Sequence, residues 1–312
     1  MAARIQTFRY LVPDLTASLK SFQQSSSKFR ILKTLTYTSS QPKDPTPSKH
    51  DADSPKTLFI LDSSFNPPSI AHKTLALSVL EQTYAKQFPS PHRLLLLFAV
   101  MNADKAPSPA AFEQRLAMMT VFARDLLDTF EEQYDSTDPK YIPVPIDIGV
   151  TKAPYYTDKS AAIEDEGREW YPDQPKHIHL VGFDTLTRFF NPKYYQQFNP
   201  PLSALEPYFG NGHRLRVTMR PDDEYGSVED QKAFVKKLED GSMESDGAKR
   251  EWAKLVELVE PNPKAGVSST KIRKAAKQGD WETVGSLCTP GVQEWVRREG
   301  LYEEDDRGAK MA

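Results

Sequence analysis

The sequence has 312 residues and a formal net charge of −3, from 40 Lys and Arg against 43 Asp and Glu. This near-neutral balance gives no electrostatic reason to bind nucleic acid or an anionic membrane. The single cysteine, Cys288, excludes an internal disulfide framework and is typical of a reducing compartment. No apolar stretch approaches the roughly 20 residues of a membrane span. These features predict a soluble intracellular protein without nucleic-acid or membrane partners.

Residues 1–56 differ in composition from the rest of the chain. Up to Ser40 there are six basic residues and one acid among many serines, a composition typical of a mitochondrial transit peptide. Apolar residues also recur there at helical spacing: Leu11, Leu15, Leu19 and Phe22. With Pro13 as a helix-starting residue, this spacing favours an N-terminal helix docked on the core, followed by a flexible proline-rich linker over 41–56. We therefore expect a cytoplasmic or nuclear protein, with the mitochondrion as the alternative.

From residue 57 onwards, short apolar runs alternate with amphipathic segments. The runs predict strands over 57–61, 93–100, 141–148, 177–181 and 214–219. The segments predict helices over 70–87 and 110–130 and a helix that starts at 182, whereas 222–254 is typical of a solvated helical excursion. This alternation predicts an α/β fold: a Rossmann-like, doubly wound, mostly parallel sheet with helices on both faces and a C-terminal helical segment, over residues 57–305. Residues 306–312 are expected to form a disordered tail.

A polar loop follows the first predicted strand and leads into a helix. It reads Ser-Ser-Phe-Asn-Pro-Pro-Ser-Ile-Ala-His over residues 63–72. Ser69 and His72 are three residues apart, so they share one helix face, and exposed backbone N–H groups at a helix start form an anion site. Taken alone, the loop is also compatible with an ordinary strand–turn–helix in which Ser69 caps the helix.

A second segment places cations where a helix normally disfavours them. Ser268, Ser269 and Thr270 precede Lys271 and Arg273 at the start of an amphipathic helix. Because cations are unfavourable at the positive end of the helix dipole, these side chains indicate an anion in front of them. Hydroxyls, backbone N–H groups and a guanidinium are all ligands for polyphosphate oxygens. The segment is also compatible with a capped helix that has a basic exposed face.

Together the two segments resemble the G-x-F-x-P-x-[HT]-x-x-H loop and the S-S-T-x-x-R helix of nucleotidylyltransferases. Within that superfamily, the sequence most resembles the nicotinamide mononucleotide adenylyltransferases, in the divergent fungal branch of that family. The resemblance covers roughly residues 57–302. The resemblance implies His72, Lys105 and Arg273 as catalytic residues. It implies further ATP- and NAD-binding residues, with Asp184 near the ribose: Ser64, Phe65, Ser69, Gly182, Asp184, Arg220, Ser268, Ser269, Thr270, Lys271 and Ile272.

Three positions depart from the family pattern. Ser63 replaces the usual glycine, and Ser69 replaces the first His or Thr of the loop while keeping a hydroxyl. The tryptophan that stacks on the nicotinamide ring has no clear counterpart. Tyr155 and Tyr156 are the candidates for an acceptor-stacking face, and Trp170 lies further along the chain.

The resemblance implies transfer of AMP from ATP to nicotinamide mononucleotide, giving NAD and pyrophosphate in NAD biosynthesis. Mg²⁺ or another divalent cation would be carried with ATP, and no protein metal site is expected. An ATP hydrolase or ATP-sensing regulatory protein on the same fold stays open as an alternative, because the stacking tryptophan is missing. Nucleotidylyl transfer to another phosphomonoester and a non-catalytic interaction module also stay open.

Overall fold

The computed structural model describes residues 2–36, 54–100, 109–133, 144–220, 224–261 and 269–303. These residues form one seven-stranded sheet. Its strands are β1 (Phe29–Leu35), β2 (Thr57–Asp62), β3 (His92–Ala99), β4 (Ile146–Thr151), β5 (Lys176–Gly182), β6 (Arg214–Thr218) and β7 (Val256–Val259). The strand order is β1-β4-β3-β2-β5-β6-β7, and each neighbouring pair is parallel except β1 with β4.

Helices cover both faces of the sheet. They are α1 (Ala2–Gln24), α2 (Ile70–Leu80), α3 (Gln82–Ala85), α4 (Phe112–Gln133), α5 (Tyr156–Glu166), α6 (Phe183–Phe189), α7 (Glu206–Gly210), α8 (Val228–Glu239), α9 (Ser269–Lys277), α10 (Trp281–Leu287) and α11 (Pro290–Arg298). No helix within the described ranges is both long and apolar enough to cross a membrane. The predicted α/β architecture, a mostly parallel sheet between helices, is confirmed.

The apolar run of β2 is buried on both sides of the sheet. Leu58 and Ile60 pack with α5, whereas Phe59 and Leu61 pack with α2 and α4 on the opposite face. All four side chains are at most 1% exposed. A strand covered by helices on both faces needs apolar residues at successive positions, which explains why this run does not alternate with polar residues.

Strand order reverses beside β2. From β2 the chain adds β3 and then β4 on one side, and later adds β5, β6 and β7 on the other. The loops after β2 and β5 therefore leave in opposite directions and open a crevice at the carboxyl ends of these strands, next to Asp62 and Gly182. Ligands of doubly wound sheets bind in such crevices.

The N-terminal segment is part of the same sheet and core. In α1, Leu15, Leu19 and Phe22 are at most 5% exposed and belong to the cluster that α4 and α11 also supply. Pro13 lies inside this helix, so the expectation that the helix starts there is wrong. The strand β1 was not predicted, and it pairs antiparallel with β4 at the sheet edge.

The excursion over 222–254 is less solvated than its charges predict. Val235 and Leu238 of α8 are buried, and so is Trp252, whose ring stacks on Phe209 at 4.9 Å between centroids. These side chains belong to a second cluster that covers β5 and β6. The charged residues occupy only the outer face. The predicted tail at 306–312 lies outside the described residues.

Candidate active site

The loop between β2 and α2 turns sharply at the reversal of strand order. Phe65 has a φ of 44°, a left-handed conformation that is rare for a bulky residue, and its side chain is fully buried. Tyr302, near the C-terminal end, donates from its hydroxyl to Asn66 Oδ1 over 2.8 Å. The surrounding structure thus fixes a strained turn, as is common where a backbone must approach a ligand closely.

The ring of His72 is held in one tautomer by two serines. The backbone N–H of Ser69 donates to Nδ1 over 2.9 Å, so the neutral ring carries its proton on Nε2. Nε2 lies 2.8 Å from Oγ of Ser63, which accepts that proton. Burial lowers the pKa of His72 to about 4. At neutral pH this side chain is therefore an uncharged hydrogen-bond donor that lines a cavity.

The start of α9 contacts the same loop from more than 200 residues away in sequence. Ser269 donates from Oγ to the carbonyl of Pro67 over 2.9 Å. Arg273 donates from Nη1 to the carbonyl of Asn66 over 2.8 Å and from Nη2 to Thr270 Oγ1 over 3.1 Å. The two sequence segments that were singled out separately are therefore in direct contact.

Two guanidinium groups near this contact keep unused donors. Nε of Arg273 and Nη2 of Arg115 are buried and have no hydrogen-bond partner within the described ranges, and neither guanidinium pairs with a carboxylate there. Burial lowers the pKa of Arg115 to about 10; the charge of Arg273 acts in the same direction and Tyr302 opposes it. Buried donors without acceptors are unfavourable, so this pair of cations is suited to an anion.

Two cavities adjoin at the carboxyl ends of β2 and β5. The first, of about 360 Å³, contains residues from both singled-out segments and is called the nucleotide cavity. Its lining includes Ser69, His72, Gly182, Asp184, Arg220 and Ser269. The second, of about 320 Å³, is called the acceptor cavity, and its lining includes Ser64, Tyr155, Tyr156, Lys159, Arg188, Tyr194 and Tyr195. Both cavities are lined by Asp62, Ser63, Tyr156, Asp184 and Thr185, which form the seam between them.

Aromatic rings line the acceptor cavity. The ring of Tyr155 is exposed and lies 6.3 Å from that of Tyr194 and 6.5 Å from that of Tyr195, measured between centroids. Tyr156 is at the seam, and burial raises its pKa well above the ordinary value. Trp170 instead packs edge-on against Phe29, 6.1 Å away, on the face that α5 covers. The aromatic lining of this cavity is therefore made of four tyrosines and Phe189.

Most of the predicted site residues that the structure describes line these cavities, whereas Phe65 and, in α9, Thr270, Lys271, Ile272 and Arg273 do not. Ile272 is fully buried in the core, so its side chain cannot contact a nucleotide, and only its backbone is available for the role implied by the resemblance. Lys271 points outward and is exposed. Lys105 and Ser268 lie outside the described residues.

Sequence reasoning missed several residues of the acceptor cavity. Tyr194 and Tyr195 come from an irregular segment after α6, which carries no periodic signal. Lys159 lies on α5, where its spacing does not distinguish it from a solvated lysine, yet its ammonium pairs with Asp62 at the seam. A signal did exist for Asp62, since it is a carboxylate directly at the end of a buried strand.

The structure is an α/β fold with two adjoining cavities at the reversal of strand order, which is where such folds bind ligands. No protein-family model matches the chain. A Schizosaccharomyces pombe protein, provisionally named as a nicotinamide mononucleotide adenylyltransferase, is 30% identical over 232 residues, which are 74% of this chain and 80% of that protein. The chain therefore belongs to the nicotinamide mononucleotide adenylyltransferase family and is a nucleotidyltransferase, as the two motifs predicted.

Solved structures with a similar fold are more distant. A nicotinic acid mononucleotide adenylyltransferase from Plasmodium falciparum, complexed with NaAD, is 14% identical with a TM-score of 0.46, and the match covers 80% of this chain and 98% of that one. TmcAL from Thermotoga maritima, bound with alpha-thio ATP, is 13% identical with a TM-score of 0.38, over 78% of this chain and 56% of that one.

Proposed function

We propose that this enzyme transfers AMP from ATP to nicotinamide mononucleotide, giving NAD and pyrophosphate. The observation that carries the proposal is the pair of adjoining cavities with a common seam. One contains Ser69, His72 and Ser269, and the other contains tyrosine rings. Two nucleotides bound in such a pair would have their phosphates next to each other at the seam. This is the arrangement that adenylyl transfer between them requires.

The loop and the start of α9 supply the phosphate contacts in this proposal. His72 and Ser69 bind the α- and β-phosphates, with a phosphate oxygen replacing Ser63 Oγ as the acceptor of Nε2–H of the neutral His72. Ser269, Thr270 and Arg273 bind the β- and γ-phosphates, and the unused Nε donor of Arg273 supports that role. The resemblance gives the same role to Ser268 and gives charge neutralisation at the phosphates to Lys105.

The reaction needs no nucleophile from the protein. An oxygen of the acceptor 5′-phosphate attacks the α-phosphorus of ATP, the bond to the β-phosphate oxygen breaks in line, and pyrophosphate leaves. Positioning the two phosphates and stabilising the charge that develops between them account for catalysis of such transfers. The donors of His72 and Arg273 are preorganised by their contacts with Ser69 and Asn66, so they need little reorganisation during the reaction.

A divalent cation fits this site as a companion of the substrate. Within the described part of the chain, no group of three or more His, Cys, Asp or Glu side chains is arranged to hold a metal ion. Mg²⁺ often keeps several waters and binds chiefly through substrate phosphates, so a cation carried with ATP needs no dedicated carboxylate cage. When bound, the ion would neutralise phosphate charge.

The charges of the acceptor cavity favour the amide over the acid form of the pyridine nucleotide. The buried ammonium of Lys159 is already paired with Asp62, whereas Arg188 is exposed to solvent. A nicotinate carboxylate would therefore find no unpaired buried cation among the described lining residues. A neutral carboxamide requires none.

The test is product analysis with ATP, Mg²⁺ and each pyridine mononucleotide in turn. We expect NAD and pyrophosphate from nicotinamide mononucleotide, with a higher kcat/KM than for the nicotinate form. A higher kcat/KM for the nicotinate form would overturn the acceptor preference alone. Inorganic phosphate and ADP, formed at the same rate without an acceptor, would instead support the ATP hydrolase.

A further inference from the structure

A buried ion pair lies at the seam between the two cavities. Asp62 is the last residue of β2 and Lys159 is in the first turns of α5, and each side chain is only 7% exposed. Nζ of Lys159 contacts Oδ2 of Asp62. A buried ion pair is often no more stabilising than apolar residues of similar size, because both charges lose hydration. Stability alone therefore does not explain a pair at this position.

One oxygen of this carboxylate remains available to a ligand. Asp62 lines both cavities, and its Oδ1 has no hydrogen-bond partner among the residues that the structure describes. Lys159 uses Oδ2 and also lies 4.9 Å from the centroid of the Tyr156 ring, a cation–π distance. Lys159 thus holds Oδ2 of Asp62 in place, and Oδ1 is left to a ligand in the cavities.

The chemistry of the seam restricts what Oδ1 can bind. Two phosphates must meet there, and an isolated carboxylate would repel them, but Lys159 neutralises the charge of Asp62. An ionised carboxylate only accepts hydrogen bonds, and the donors that flank the phosphate of a mononucleotide are its ribose hydroxyls. Hydrogen bonds from hydroxyls to carboxylates are short and strong. Asp184 lies on the β5 side of the seam, and the resemblance assigns it to the ribose of ATP.

We propose that Asp62 accepts hydrogen bonds from the ribose hydroxyls of the acceptor mononucleotide, with Lys159 as the positioning residue that keeps this carboxylate oriented. The proposal rests on the proposed function, because it concerns the acceptor of that reaction. It makes Asp62 a determinant of specificity for ribonucleotide acceptors. Acceptors that lack the bonded hydroxyl, whether at the 2′ or the 3′ position, are poor substrates.

The first measurement uses the unmodified enzyme. We expect the kcat/KM of nicotinamide mononucleotide to exceed that of its 2′-deoxy or 3′-deoxy analogue by roughly 10- to 150-fold, the effect of a hydrogen bond to a charged group. In Asp62→Asn the amide oxygen is a weaker, neutral acceptor, so this ratio should fall at least roughly threefold, while the KM for ATP changes little. Asp184→Asn is the matched control at the same seam: it should raise the KM for ATP and leave the ratio unchanged.

Variants of Lys159 separate positioning from simple structural support. In Lys159→Met the buried carboxylate of Asp62 loses the ammonium that holds Oδ2, so it no longer has a fixed orientation at the seam. The ratio between the ribose and deoxyribose acceptors should then fall toward its value in Asp62→Asn, and Lys159→Arg, which keeps a cation beside Oδ2, should restore it. Because both acceptors carry the same phosphate, the ratio reports the hydroxyl contact alone.

The outcomes distinguish this inference from the proposed function. Dinucleotide formation with equal use of the ribose and both deoxyribose acceptors overturns the role of Asp62 and leaves the adenylyl transfer intact. If Asp62→Asn leaves the ratio between the ribose and deoxyribose acceptors unchanged, the role of Asp62 is overturned and adenylyl transfer is unaffected. If Asp62→Asn does not fold, the double variant Asp62→Ala/Lys159→Met removes both buried charges and is measured instead. If neither pyridine mononucleotide yields a dinucleotide, both proposals are overturned.

Discussion

At the scale of single residues, the site depends on side chains whose hydrogen-bonding state is already determined. His72 is neutral and donates from Nε2, because Ser69 N–H occupies Nδ1 and burial lowers its pKa to about 4. Arg273 is oriented by the carbonyl of Asn66 and by Thr270, neither of which carries a charge. Both side chains therefore act as oriented hydrogen-bond donors, and neither forms an ion pair with another described residue.

Replacing His72 with alanine should abolish most of the activity and leave the fold intact. Removing one preorganised donor to a developing oxyanion lowers kcat by a factor on the order of 10²–10³. The matched control is His92→Ala, which removes a partly buried histidine at the start of β3, far from the cavities. Steady-state kinetics on both folded variants is the measurement. Near-normal turnover of His72→Ala would exclude this loop from catalysis.

Replacing Arg273 with glutamine should weaken ATP binding far more than it weakens the fold. A charge-assisted contact with phosphate contributes about 1.5–3 kcal/mol, or roughly 10- to 150-fold in affinity. The stability of the apo protein should change by less than about 1 kcal/mol, because the lost contacts are with neutral groups and the nearby Arg115 loses a like charge.

Titration calorimetry with ATP and thermal melts of the apo protein check this prediction. Lys274→Gln is the control, because it removes a cation from the exposed face of the same helix. A large loss of apo stability with unchanged ATP affinity would mean that Arg273 is structural.

At the scale of elements, the sequence predicted those whose residues carry a clear period or a recognisable motif. The buried run of β2 and the amphipathic pattern of α4 are of this kind. It missed β1 and β7: β1 lies in a serine-rich basic segment that resembles a targeting peptide, and β7 has only four residues. Both lie at the sheet edges, where pairing with a neighbouring strand rather than local pattern decides the structure.

The residues of the candidate site also divide into those that the sequence predicts and those that it does not. The loop after β2 and the start of α9 have fixed spacings, so their residues could be predicted. The contact between Ser269 and Pro67, and the meeting of Asp62 with Lys159, depend on the tertiary fold and leave no periodic trace in the sequence. The tyrosines of the acceptor cavity are likewise brought together only by the packing of α5 against the segment after α6.

The helix α1 should contribute strongly to stability. Phe22 is fully buried, so Phe22→Ala should lower the free energy of unfolding by about 3–5 kcal/mol. Tyr10 belongs to the same helix but is 73% exposed. Tyr10→Ala should therefore change the free energy of unfolding by less than about 0.5 kcal/mol. Denaturant melts of both variants give the comparison. Equal, small effects would mean that α1 is dispensable.

We therefore expect the mature protein to keep α1 and to reside in the cytoplasm or nucleus. Removal of a targeting segment would expose the apolar surface that Leu15, Leu19 and Phe22 cover on α4. Mass spectrometry of the protein from its natural source tests this directly. A mature start beyond roughly residue 30 would support import into the mitochondrion instead.

At the scale of the whole molecule, buried histidines couple the fold to pH. His177, His179 and His213 are at most 1% exposed, and the ring of His177 stacks on that of His213 with centroids 4.1 Å apart. Burial lowers the pKa of His177 and of His179 well below the ordinary value, with neighbouring histidines adding to the shift. Ser160 lies between these two rings, within hydrogen-bonding distance of both.

Stability should fall as the pH drops below about 6.5. Between that value and the lowered pKa of the folded state, the unfolded chain binds protons that the folded chain does not, so acid favours unfolding. His72, His177 and His179 each contribute a slope of up to about 1.4 kcal/mol per pH unit. Melts from pH 7.5 to 5 should show this loss, and His177→Gln should make it less steep. A flat profile would contradict the neutral buried state.

The contact between Asn66 and Arg273 joins residues 207 positions apart. At a synthesis rate of about 5–20 residues per second, roughly 10–40 s separate their appearance on the ribosome. Throughout that interval the nascent chain has the loop after β2 but lacks the guanidinium that we propose as a phosphate ligand. If that role is correct, a chain interrupted before α9 should bind ATP more weakly than the full chain, because it lacks this contact.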